Sequence, residues 1–210
     1  MPELKTFSGL YAIIDSVVHA AYGLERLLEK IVLESTIPIV QFRWKTLNGH
    51  QKLGLLKEAA RLKAQRDFVL IVNDDSEYLD HSAVDGLHLG QKDIALELVR
   101  KIHPEKLYGL STHSLDQAQV GGKRAHYIGC GAVYATTSKS HIEIIGLHGL
   151  REMVTVSSVP TIAIGGITSD NISEVAKSGC SMAAVIGALV HDGKFEGQKL
   201  HEIFMHHRRV

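Results

Sequence analysis

The sequence predicts a single-domain α/β protein over residues 1–210, with strand and helix alternating eightfold and closing into a (β/α)8 TIM barrel. Three observations predict it. Eight short β-rich runs recur along the chain, stretches of helical periodicity lie between them, and polar residues gather where each run hands over to its loop.

The runs are "LYAIID" (10–15), "PIVQF" (38–42), "FVLIVND" (68–74), "GLHLG" (86–90), "LYGLS" (107–111), "YIGCG" (127–131), "TIAIGG" (161–166) and "MAAVIG" (182–187). Helical periodicity appears over 21–34, 51–65, 93–102 and 169–179. Near-continuous apolar strands joined by helices imply a parallel sheet covered on its faces, because crossover connections are what return a chain to a parallel neighbour. An open doubly wound sheet satisfies the same alternation; eight units favour closure. By periodicity alone "MAAVIGALV" also reads as a core helix.

The chain has 210 residues, 45% of them apolar, enough for one substantial core. Its 23 basic and 23 acidic residues cancel, so there is no global electrostatic case for nucleic acid or an anionic membrane, and any anion site must be local. With neither a signal-peptide pattern nor a membrane-length apolar run, a cytoplasmic location is expected. Cys130 and Cys180 are the only cysteines. They are too few for a disulfide framework and read as small buried residues. The terminal "MHHRRV" reads as a solvated tail.

The second run continues as "QFRWK". Strand alternation puts Gln41, Arg43 and Lys45 on one face and Phe42 and Trp44 on the other. On an edge strand the polar face would meet water; in a closed barrel it faces the mouth, while Phe42 and Trp44 pack outward beneath helices. The third run ends in Asn73 and Asp74, and Asp75 ahead of "SEYL" reads as a helix N-cap. Asp93, nineteen positions beyond Asp74, opens the next helical stretch and also reads as a cap. Two carboxylates on neighbouring strand ends equally make a hard oxygen site suited to magnesium, with phosphate oxygens and water completing its shell.

Ser111 ends the fifth run, with Ser114 placed to cap the helix after it. Thr136, Thr137, Ser138 and Lys139 follow the sixth. "GGI" (165–167) ends the seventh, and Gly187 turns the eighth into a short helix. Loops after the last two strands are the usual phosphate seat of this fold.

Taken in order, "YAIID", "QFRWK", "NDD", "DGLHLGQKD", "GLSTHS", "YIGCGAVYATTSK", "AIGGIT.DN" and "VIGAL" resemble the thiamine-phosphate synthase family over nearly the whole chain. The resemblance implies union of 4-amino-5-hydroxymethyl-2-methylpyrimidine diphosphate with 4-methyl-5-(2-phosphoethyl)thiazole, plain or carboxylated, to give thiamine monophosphate and diphosphate. It places Gln41, Phe42, Arg43, Trp44, Lys45, Asn73, Ser111 and Lys139 at the pyrimidine diphosphate. Of these, Lys139, Arg43, Lys45 and Ser111 would assist catalysis. Thr136, Thr137, Ser138, Gly166, Ile186 and Gly187 would hold the thiazole phosphate, and Asp74 with Asp93 one magnesium ion per subunit. It further implies small-molecule substrates and a homodimer.

Two departures stand out. Prolines usual in the family's sixth loop are Ala132 and Ala135 here, and a serine usual in the eighth is Gly187. Two other readings compete: a thiazole tautomerase, which needs no diphosphate site, and a non-catalytic thiamine-phosphate binder. The charged set from Gln41 to Lys139 argues against both.

Overall fold

The structure is a computed structural model in which residues 8–136 and 143–208 are described. Eight parallel strands close into a barrel in sequence order: β1 (Gly9–Asp15), β2 (Ile39–Arg43), β3 (Val69–Asn73), β4 (Gly86–Leu89), β5 (Leu107–Thr112), β6 (Tyr127–Cys130), β7 (Thr161–Ile164) and β8 (Met182–Val185). Pairing of Tyr11 with Ala184 joins the last strand to the first. The eight expected runs are these strands, and the open-sheet alternative is excluded by closure.

The helices are α1 (Leu24–Glu34), α2 (Gly49–Lys63), α3 (Leu96–Ile102), α4 (Leu115–Arg124), α5 (Gly146–Val156), α6 (Ile172–Ala176) and α7 (Gly197–His207). None of the described helices is long and apolar enough to cross a membrane. A short antiparallel pair, β9 (Val190–His191) and β10 (Lys194–Phe195), precedes α7.

Local chemistry explains where the boundaries depart from periodicity. Asn48 accepts from Gln51 N while Gln51 Oε1 accepts from Asn48 N, both at 3.0 Å, so a capping box starts α2 two residues before its apolar pattern. Ser114 caps α4 as expected, its Oγ accepting from Gln117 N. Asp93 caps nothing: α3 starts three residues later behind Ala95, and Asp93 Oδ2 instead accepts from Gly90 N. Between β3 and β4 the crossover is only a 3-10 turn, Ser76–Tyr78. The "MAAVIGALV" run divides into strand β8 and a 3-10 turn, Gly187–Leu189. The expected C-terminal tail is helical through His207, because Leu200, His201 and Phe204 give α7 a buried face.

Alternation sorts every strand into two layers. Leu10, Ala12, Ile14, Val40, Phe42, Leu70 and Val72 face outward into the core shared with the helices. Tyr11, Ile13, Ile39, Val69, Ile71 and Tyr127 belong to the inner cluster filling the barrel. Interior space is rationed by Gly109, where an added Cβ would overlap the Tyr127 ring. Cys130 and Cys180 are buried free thiols, and burial pushes the Cys130 pKa up to about 12, leaving it unreactive.

Three histidines are built in as neutral backbone acceptors. His201, on α7 beneath the barrel, accepts from Leu10 N at 3.2 Å, His126 from Tyr108 N at 2.9 Å, and His19 from Asp15 N at 3.0 Å. Burial is the main cause holding all three below the ordinary histidine pKa. The unfolded chain therefore binds protons first as pH falls through about 6.5, so stability is lost from there downward, toward the depressed folded values. Urea unfolding midpoints should decline between about pH 7.5 and about pH 5.5, before carboxylates titrate. A constant midpoint over that interval would show the three rings to be accessible to protons in the fold.

Candidate active site

Inward-facing positions near the strands' C-terminal ends line a cavity of about 370 Å³ that opens at the barrel mouth. Its deep walls are apolar, from Ile13, Ile162 and Ile164, and its polar groups come from successive strand ends. This is where active sites of the fold are built, because residues from many strands converge there.

The first wall is an ion pair. Asp15 and Arg43 are register partners ending β1 and β2, and Arg43 Nη1 donates to Asp15 Oδ2. Asp15 is fully buried and Arg43 is 8% exposed. Burial alone would push the Asp15 carboxyl up, but the N–H groups of Val18 and Val17, with Arg43, hold it below the usual carboxylate range. Asp15 was not singled out in the sequence, since a strand-end Asp reads as a turn residue; what marks it is its inward register, two positions beyond Ile13.

Behind that pair runs a side-chain chain. Gln41 Nε2 donates to Tyr11 Oη at 2.8 Å, Tyr11 Oη meets Tyr127 Oη at 2.9 Å, Tyr127 Oη meets His88 Nδ1 at 3.2 Å, and His88 Nε2 meets Ser111 Oγ at 2.9 Å. Five strands contribute one residue each. Gln41 and Ser111 were expected at the site; Tyr11, His88 and Tyr127 were missed. Inward alternation from Gln41, Asn73 and Ser111, applied to "LYAIID", "GLHLG" and "YIGCG", would have found them.

Opposite lies a glycine-lined wall. Gly165 and Gly166 take positive φ of 106° and 61°, and an added Cβ at either would crowd Ala132 or the Ala135 carbonyl, so the turn after β7 fits tightly against the loop after β6. Asn171 fastens that turn, its Nδ2 donating to Gly166 O and its Oδ1 accepting from Thr168 N, both at 2.9 Å. His19 Nδ1 already accepts from Asp15 N, so its Nε2 carries the proton and donates to Ile186 O at 3.2 Å. The first loop thereby holds the turn after β8. Thr136, Gly166, Ile186 and Gly187 all line the cavity, and at Gly187 an added Cβ would meet nothing within 4 Å. Thr137, Ser138 and Lys139 lie outside the described residues.

The remaining expected residues divide by position. Asn73 lines the cavity, whereas Lys45 is exposed in the turn after β2 and does not. Phe42 and Trp44, implied to touch substrate, point the other way, into the outer core, as their alternation requires. Trp44 Nε1 and Lys52 Nζ both donate to Asp75, so that carboxylate holds α2 against the 3-10 turn instead of capping it. Asp74 and Asp93 are exposed beyond the ends of β3 and β4, with Asp74 N donating to His88 O at 3.0 Å. Among the described residues no cluster of three or more His, Cys, Asp or Glu could cage a metal. Two rim carboxylates fit magnesium, which commonly takes one or two protein carboxylates and leaves the rest to water and phosphate.

The profile described as thiamine monophosphate synthase matches residues 10–189. The chain belongs to that family. Among curated relatives in the thiamine monophosphate synthase family, a thiamine-phosphate synthase of Rhodopirellula baltica is 33% identical over 96% of this chain. The chain spans only 54% of that protein's length, but 81% of the Methanococcus vannielii thiamine-phosphate synthase, to which it is also 33% identical over 78% of itself. Among solved structures, a thiamine phosphate pyrophosphorylase from Pyrococcus furiosus superposes with a TM-score of 0.85 and 30% identity, covering 94% of this chain and 96% of that one. A geranylgeranylglyceryl phosphate synthase from Thermoplasma acidophilum shares the fold alone, at TM-score 0.68 and 15% identity over 99% of this chain and 96% of that one.

The buried ion pair gives a direct test of the site's construction. Asp15→Ala strands the Arg43 guanidinium and should destabilise the fold by about 3 kcal/mol. Asp15→Asn keeps an acceptor for Val17 and Val18 and should cost less. Denaturant unfolding of the two variants measures the difference; equal losses would mean the charge pair, and not the loop contacts, carries Asp15's contribution.

Proposed function

We propose that the chain is a magnesium-dependent thiamine-phosphate synthase. It joins 4-amino-5-hydroxymethyl-2-methylpyrimidine diphosphate to 4-methyl-5-(2-phosphoethyl)thiazole, plain or carboxylated, forming thiamine monophosphate and releasing diphosphate, together with carbon dioxide where the thiazole is carboxylated. The observation that carries this reading is a single cavity whose one wall presents Arg43, Asn73 and Ser111 and whose other wall presents Gly166, Ile186 and Gly187. One wall suits a diphosphate, the other a second phosphate, and the family supplies the chemistry that needs both.

The reaction breaks a carbon–oxygen bond and forms a carbon–nitrogen bond. Departing diphosphate leaves a pyrimidine-methyl cation stabilised by the amino-substituted ring, and the thiazole nitrogen attacks the exocyclic carbon. Negative charge grows on the leaving oxygens, so fixed donors aimed there lower the barrier. Arg43, Ser111 and Lys139 serve that end, with Asn73 completing the cavity wall and Lys45, in the exposed turn after β2, adding a cation from outside it. Ile13, Ile162 and Ile164 wall the cavity with apolar surface and keep water from capturing the cation. Thr136 on the cavity wall, with Thr137 and Ser138 after it in sequence, serves to hold the thiazole phosphate, which keeps the nucleophile close. Asp74 and Asp93 would hold the magnesium ion, whose charge would offset that of the diphosphate. Both substrates are small molecules, and a cytoplasmic homodimer belongs to the same reading.

Diphosphate release should require both substrates and magnesium, and Asp74→Ala should reduce kcat by roughly a hundredfold or more without altering far-ultraviolet dichroism. Isomerisation of a thiazole precursor without diphosphate release would replace the synthase by the tautomerase. Because the space at Gly187 is open, Gly187→Ser should fold normally and restore a hydroxyl donor. It should lower KM for thiazole phosphate by about threefold to tenfold. An unchanged KM would show that backbone groups alone serve that phosphate.

A further inference from the structure

One end of the chain from Gln41 to Ser111 is fixed. An amide nitrogen only donates, so Tyr11 Oη accepts from Gln41 Nε2 and keeps its own proton to give, with Tyr127 Oη 2.9 Å away. Tyr127 Oη lies 3.2 Å from His88 Nδ1, and His88 Nε2 lies 2.9 Å from Ser111 Oγ. Run in one sense from Gln41, the chain has Tyr127 donating to Nδ1, the ring carrying its proton on Nε2, and Ser111 Oγ accepting from it. The serine's own proton is then left to be given away.

We propose that His88 is a positioning residue: fixed as the neutral Nε2–H tautomer by the Gln41–Tyr11–Tyr127 relay, it turns the Ser111 hydroxyl into a committed hydrogen-bond donor toward the cavity. The ligand group this selects is an acceptor, an ester or phosphate oxygen of the diphosphate substrate. This role rests on the synthase reading, whereas the tautomer does not. Tyr11 and Tyr127 are 2% and 1% exposed, and burial holds both phenols un-ionised, so the relay stays charge-neutral. The His88 ring lies against Gly129, where an added Cβ would sit 3.4 Å from its Cε1, and this register partner of Ser111 leaves room for the imidazole. Among the described residues, the other titratable groups lining the same cavity are Tyr11 from β1, Arg43 from β2, His113 after β5 and Tyr127 from β6; Arg43 is already paired to Asp15.

Nitrogen NMR of imidazole-labelled protein, with His88 assigned by the signal lost in His88→Gln, reads the tautomer without substrate. A proton on Nε2 and none on Nδ1 is expected at about pH 8, where an ordinary histidine is neutral. Tyr127→Phe should release the ring, giving mixed tautomers. An Nδ1–H ring, or mixed tautomers in the wild-type protein, overturns the relay whatever the activity. The positioning role is read by a double-mutant cycle on KM for the pyrimidine diphosphate. Tyr127→Phe should raise KM by about tenfold when Ser111 is present and leave it unchanged in a Ser111→Ala background. Independent, multiplicative effects overturn the role even if the tautomer is as described. Absence of diphosphate release overturns the synthase reading instead, and is told apart because the NMR experiment uses neither substrate.

Discussion

A closed parallel barrel leaves no strand face in water, so every polar side chain turned inward must find a partner inside. That constraint organises the site. Asp15 and Arg43 satisfy it as an ion pair between register partners, and Gln41, Tyr11, Tyr127, His88 and Ser111 satisfy it as one chain. Among the described residues no buried side-chain nitrogen or oxygen lacks a partner. The same bonds that make burial tolerable also fix which groups donate into the cavity, and a fixed donor needs no reorganisation when charge develops.

Electrostatics in this chain are local. With no net charge, binding of an anionic substrate rests on a few placed groups and not on a general field. The "NDD" stretch illustrates the placing. Asp75 is drawn to Trp44 and Lys52 and serves packing, Asn73 faces the cavity, and Asp74, with a positive φ of 66°, projects at the rim. Three adjacent polar residues thus have three environments, set by pleat and turn. Histidines are divided likewise. His19, His126 and His201 serve as backbone acceptors, while His88 links side chains within the cavity.

Much of the architecture was legible because it depends on period and position. Eight apolar runs became eight strands, and the alternation in "QFRWK" correctly sent Gln41 and Arg43 inward and Phe42 and Trp44 to the helix layer. Lys45 fails the pattern because β2 ends at Arg43, and alternation stops with the strand. Helix starts were less legible. A cap is a hydrogen bond between specific atoms, and Asp75 and Asp93 found stronger partners elsewhere than the helix ends they precede.

Sequence by itself determined the barrel, the strand ends that gather at its mouth, the family, and the polar residues that read as unusual on an apolar strand. Only the tertiary structure decided that Asp15 neutralises Arg43, that His19 ties the first loop to the last strand end, and that Tyr11, Tyr127 and His88 bridge Gln41 to Ser111. The reason is physical. Alternation along one strand is a local property that a chain carries in its order of residues. Which inward side chains meet depends on register between strands up to 116 residues apart, and that is settled only when the barrel closes.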